Sequence, residues 1–135
     1  MENKDELVDF YGYWSEIWSR GFEMMGRLLD KDFVANEVKK RKMTDIYIYG
    51  GGYLGIQLYR AIIPFGNVLS IVDKSGKLKV DVEDIPVIDM DIFRKRYKDE
   101  LVVITPIQYY REISNELQSF VLNDKIIFLE EFGGE

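Results

Sequence analysis

The chain contains no cysteine and no histidine. Without cysteine there are no disulfides, thiolate nucleophiles, iron–sulfur clusters or cysteine zinc sites. Without histidine the commonest general base and metal ligand is gone, and with it Ser-His-Asp, Cys-His and His-zinc chemistry. Positive charge is also scarce: 18 Lys and Arg against 24 Asp and Glu leave a formal net charge of −6, which argues against a broad nucleic-acid surface. No apolar run approaches the ~20 residues that a membrane-spanning helix requires. The start, Met-Glu-Asn-Lys-Asp-Glu, lacks the apolar stretch of a signal peptide, so a cytoplasmic protein is expected. What is present, 47% hydrophobic and 31% charged residues in a chain of 135, suits one domain whose core needs no covalent staples.

Four short apolar runs stand out, at residues 46–49, 68–72, 101–104 and 126–129. They are rich in β-branched and aromatic residues and unbroken by charge, the pattern of strands buried on both faces of a parallel sheet. A fifth run, 85–88, contains Pro86 and reads as a short or edge strand. Helical patterns fill most of the gaps. Leu54, Leu58, Ala61 and Ile62 make one face, ended by Pro64 and Gly66. Asp89 is placed to cap a short helix carrying Ile92, Phe93 and Tyr97. Thr105, Pro106 and Gln108 form a capping-box pattern, with Tyr110, Ile113, Leu117, Phe120 and Val121 as the buried face that follows. Alternating strands and helices predict a doubly wound α/β sheet, and right-handed crossovers give the order 3-2-1-4-5. The stretch 73–84 has a turn at Ser75-Gly76 and no helical face, so a loop or small hairpin replaces the helix after the second strand.

Residues 1–43 stand outside this alternation as an N-terminal helical segment, and residues 44–135 form the Rossmann-like domain. In the first part, Phe10, Trp14, Ile17, Gly21, Met24, Met25 and Leu28 recur at helical spacing, and Trp18 and Phe22 widen the face. A break falls near residues 29–32, followed by a second helix from about 33 to 42. The aromatic face is either packed on the domain's own helices or used for self-association across a two-fold axis. Large aromatics and methionines favour the second, and a homo-oligomer is expected. The basic run Lys39-Lys40-Arg41-Lys42 reads as charge complementing a helix C-terminus.

The strongest functional signal is Ile46-Tyr47-Ile48-Tyr49-Gly50-Gly51-Gly52-Tyr53-Leu54-Gly55, with G-x-G-x-x-G at Gly50, Gly52 and Gly55. Gly50 allows the tight turn, Gly52 leaves room for a phosphate beside the backbone, and Gly55 lets helix and strand approach. The helix N-terminus then offers N–H groups and partial positive charge to an anion. A strand precedes the motif, a helix follows it, and Asp73 ends the second strand 23 positions after Gly50. A carboxylate there accepts hydrogen bonds from an adenosine ribose and repels a 2′-phosphate, so NAD is favoured over NADP, with adjacent Lys74 weakening the preference. The same residues would also serve a plain strand-to-helix turn with an ordinary strand-end Asp. A methyl-donor site of the methyltransferase type shares the Gly-rich loop and the acidic second-strand end, but carries an acidic residue before the glycines where this chain has Ile48 and Tyr49.

Catalytic equipment is thin. Tyr53, Tyr97, Tyr109 and Tyr110 are followed four residues on by Gln57, Leu101, Ile113 and Ser114, so the Tyr-x-x-x-Lys pair of short-chain reductases is absent. Thr105 and Tyr109 lie where a nicotinamide could sit, yet read more simply as a helix cap and a surface aromatic. Glu130-Glu131 and Asp81/Glu83/Asp84 show no metal-ligand spacing and are expected to be solvated.

The succession Ile-Tyr-Gly-Gly-Gly-Tyr-Leu-Gly, Ser-Ile-Val-Asp-Lys, a short Gly-containing loop, Ile-Pro-Val-Ile and Val-Val-Ile-Thr resembles the small Rossmann-like domains of bacterial surface-polysaccharide biosynthesis. Those domains sit at the front of nucleotide-sugar dehydratases/epimerases and of sugar acyltransferases. The resemblance covers about residues 44–132. It implies binding of NAD, a nucleotide or a nucleotide-sugar at Gly50, Gly52, Tyr53, Leu54 and Asp73, with Gly55 and Thr105 beside them, and it implies no reaction.

Overall fold

The computed structural model describes residues 4–82 and 84–134, with side chains described from residue 12 onward. Two helices, α1 (Lys4–Leu28) and α2 (Lys31–Arg41), precede β1 (Ile46–Tyr49), α3 (Tyr53–Ile62), β2 (Val68–Val72), β3 (Val87–Ile88), α4 (Met90–Arg96), β4 (Val102–Ile104), α5 (Tyr110–Leu117) and β5 (Ile126–Phe128). All five strands are parallel, in the order β3-β2-β1-β4-β5, as the sequence predicts. No described helix is long and apolar enough to cross a membrane.

Strand side chains alternate between two apolar layers, which is why the runs are apolar throughout. Ile46, Ile48 and Val103 join Met24 and Leu28 of α1, Val34 and Val38 of α2, and Ile56, Leu58 and Ile62 of α3. Tyr47, Tyr49, Val102 and Ile104 join Phe93 of α4 with Ile113 and Leu117 of α5. On that second face Phe93 stacks edge-on against Tyr47 (4.8 Å) and Phe120 (5.4 Å). The N-terminal helices therefore share one core with β1. Phe10 of the aromatic face falls outside the described side chains.

Local chemistry sets the helix ends. Asp30 stops α1 and caps α2, its carboxylate accepting from the Asp32 and Phe33 N–H groups at 3.0 and 3.2 Å. Asp89 caps α4 by accepting from Ile92 N–H at 2.9 Å. The basic end of α2 does more than complement a dipole: Arg41 donates to the Glu131 carbonyl at 2.6 Å, Lys40 reaches the Gly134 carbonyl, and buried Glu37 accepts from Arg41 and from Gly133 N–H. These bonds fasten residues 131–134 over α2.

The solvated reading is corrected for Glu130, which is half-buried, while Glu131 is exposed as expected. Glu130 forms a two-toothed ion pair with Arg20 of α1, and Glu131 accepts from Phe128 N–H at 2.6 Å. Asp81 and Asp84 are exposed, and Glu83 lies outside the described residues. Residues 73–82 form an irregular loop with Gly76 at φ 69°, the loop alternative of the two expected for this stretch.

Candidate functional site

The glycine loop leaves the carboxyl end of β1, the central strand, where the chain's winding reverses between β1 and β4. Open α/β sheets hold ligands at such a place. Gly50 has φ 119°, a region that side chains disfavour. Its own neighbours close in as well: a Cβ there would lie 2.9 Å from Pro106 Cδ and nearer still to Thr105 Oγ1. At Gly55, a Cβ would fall far inside contact of the Gly50 carbonyl oxygen. Gly52 is different. It is the N-cap of α3 at φ −84°, ψ −169°, no side chain caps the terminus, and a Cβ would meet nothing within 4 Å. Two glycines thus shape the turn, and the third opens the helix terminus to space.

Asp73 clamps this loop. One carboxylate oxygen accepts from Gly51 N–H at 2.9 Å, and the other accepts from Ser75 N–H at 3.0 Å and Ser75 Oγ at 2.7 Å. A little farther on, Lys79 N–H donates to the Gly51 carbonyl at 2.7 Å. Of the roughly four acceptor positions of a carboxylate, three are engaged inside the chain. Asp73 thus has at most about one acceptor position left for a ribose.

Two pockets flank the loop. The first, about 560 Å³, is bounded below by Gly52, Tyr53, Leu54 and Gly55, on one side by Thr105–Gln108, and on the other by α1. Its α1 wall consists of Trp14, Ile17, Trp18, Gly21, Phe22 and Met25. Among the described residues Lys79 is its single charged lining residue, with its ammonium 5.6 Å over the exposed Tyr53 ring. The second pocket, about 510 Å³, lies on the α5 side between Gly50, Asp73, Lys74, Tyr109, Glu112 and Glu116. It is acidic, and Lys74 is paired with Glu116 at 3.1 Å. Tyr49 lines it, and burial, aided by Glu116 and Asp73, pushes its hydroxyl up to about 12.

The expected site residues divide between these spaces. Gly52, Tyr53, Leu54, Gly55 and Thr105 line the α1-side pocket; Gly50 and Asp73 line the other, with Tyr109 half exposed at its rim. The capping box at Thr105 does not form. The Thr105 hydroxyl donates to the Tyr49 carbonyl at 2.9 Å, latching β4 to β1, and a 3₁₀ turn at Ile107–Tyr109 delays α5 to Tyr110. A strand-end carbonyl nearby in space outcompetes the local N–H. Because α5 ends at Leu117, Phe120 and Val121 pack from the turn beyond it.

Sequence does not single out Lys79, and it does not place the α1 aromatics beside the glycine loop. Lys79 sits in a stretch without periodicity. Trp14, Trp18 and Phe22 were visible as an oversized aromatic face, but its neighbour, the glycine loop, is set by tertiary packing. No group of three or more metal-ligating side chains converges among the described residues. No family model, curated protein or solved structure matches the chain.

Proposed function

We propose that the chain is a Rossmann-like binding module for NAD or a nucleotide-sugar, serving bacterial polysaccharide or sugar-nucleotide biosynthesis, without a complete catalytic set of its own. The observation that carries this reading is the uncapped α3 N-terminus. Its N-cap, Gly52, faces open space within a pocket whose single charged lining residue, among the described residues, is a cation. Backbone N–H groups and the helix dipole at such a terminus suit a diphosphate. The pathway rests on the resemblance of residues 44–132 alone.

The test is titration calorimetry with NAD, NADP and a UDP-sugar. Binding of none of them at millimolar concentration would sink the reading. Within it, Asp73 carries the choice of cofactor. Asp73 lies across the loop from the α1-side pocket, bonded to Gly51 N–H with most of its acceptor positions engaged, so it acts on a 2′-phosphate through charge repulsion rather than contact. Asp73→Asn keeps one oxygen acceptor and removes the charge. The preference for NAD over NADP is expected to shrink about tenfold, equivalent to ~1.4 kcal/mol. An unchanged ratio would assign Asp73 to the loop clamp only.

A further inference from the structure

The glycine-loop reading does not account for α1. Five side chains and Gly21 of one helix line the pocket, and that helix lies outside the stretch that resembles nucleotide-binding domains. Met24 and Leu28 anchor α1 in the core, whereas Trp18 and Phe22 remain 64% and 67% exposed, their rings 5.8 Å apart and tilted by 31°. Exposure of two large aromatics at the mouth of a pocket leaves a surface on which a flat ring can stack.

We infer that α1 is part of the ligand site, and that the α1-side pocket takes a nucleoside diphosphate with its phosphates at Gly52–Leu54 and its base against Trp18 and Phe22. The inference rests on the nucleotide reading above and goes beyond it in naming the wall that selects the base end. Charge decides which pocket holds the phosphates. The α5-side pocket carries Asp73, Glu112 and Glu116, and its one cation, Lys74, is already paired. The α1-side pocket carries Lys79 and the helix terminus in a chain of net charge −6. The apolar wall then needs an apolar partner, because a bare diphosphate would leave it wet. A base supplies one, since every base has a π face and stacking on aromatic side chains tolerates any sequence. The volume, about 560 Å³, falls in the ~300–1,000 Å³ range of small-molecule sites.

The chain provides its own reporter. Its two tryptophans, Trp14 and Trp18, both line this pocket, so intrinsic fluorescence reads its occupancy. UDP and ADP are expected to change that fluorescence and to bind at least tenfold more tightly than inorganic pyrophosphate. By calorimetry on the full chain, the double variant Trp18→Ala/Phe22→Ala is expected to lose tenfold or more in UDP and ADP affinity and to bind pyrophosphate as before. Both residues are exposed, so the fold should persist, which circular dichroism checks. Unchanged UDP and ADP affinity in the double variant, with binding abolished by Gly52→Val, overturns the α1 wall and leaves the glycine-loop reading standing. Wild-type chain that binds neither nucleotide overturns both. Geranyl diphosphate binding more tightly than either nucleotide overturns the base assignment in favour of an apolar chain. A dimer that sediments as a monomer after the double substitution, with nucleotide affinity unchanged, gives Trp18 and Phe22 to a second copy and overturns it too.

Discussion

Gly55→Ala should lower the stability of the fold by ~2 kcal/mol or more, although it replaces glycine inside a helix. Helix propensity alone predicts the opposite sign, a gain of about 1 kcal/mol. Sterics reverse it. The added Cβ would enter the space of the Gly50 carbonyl oxygen and lie 3.3 Å from Thr105 Oγ1. Neither neighbour can yield cheaply. Gly50 N–H donates to the Val72 carbonyl at 2.8 Å, and the Thr105 hydroxyl is committed to the Tyr49 carbonyl. Overpacking in such a place costs ~1–3 kcal/mol and rises when backbone must move. A control comes from α1. At Gly26 a Cβ meets nothing within 4 Å, so Gly26→Ala should show the propensity gain unopposed. Thermal unfolding of the two variants beside wild type is the measurement, with a fall for the first and a small rise for the second. A rise for both would mean that α3 is not seated against the Gly50 carbonyl.

The sheet was legible because its signals are local and redundant. Each run from Ile46–Tyr49 onward is apolar on both faces, and the turn residues between runs agree with them, so the order 3-2-1-4-5 follows from handedness. Gly50, Gly52 and Gly55 were legible as a motif, though not as different parts: sequence spacing cannot say that two of them are crowded and one is open. Where the reading failed, a nonlocal bond had prevailed. Thr105 carries every mark of an N-cap, yet β4 ends beside β1, and the Tyr49 carbonyl captures its hydroxyl. At Asp73 the sequence reading is incomplete rather than wrong: its bond from Gly51 N–H depends on a proximity created by β1 and β2 pairing side by side, which no local signal announces. The aromatic face of α1 was evident from its spacing, while the wall it forms depends on α1 packing across α3.

The second large effect is on binding. Gly52→Val should leave the ligand-free fold nearly intact and weaken NAD or UDP-sugar binding at least a hundredfold. The backbone at Gly52, φ −84° and ψ −169°, is ordinary extended chain that valine adopts readily, and no protein atom lies within 4 Å of the new Cβ. The folding cost is then the poorer N-cap, about 1 kcal/mol. The same feature that spares the fold harms the ligand. The empty volume beside Gly52 belongs to the pocket, directly before the first N–H groups of α3, and a branched side chain fills the place where phosphate oxygens would approach them. A hundredfold loss corresponds to ~2.7 kcal/mol, well above the stability change, so the two effects separate. Gly52→Ala should fall between wild type and valine, because its single methyl only crowds the approach. Calorimetric titration gives the affinities and thermal unfolding without ligand gives the stabilities. A folded valine variant that binds as wild type does would place the phosphates away from this terminus. The acidic α5-side pocket would then be the alternative space beside the glycine loop, and its charge suits hydroxyl donors better than a diphosphate.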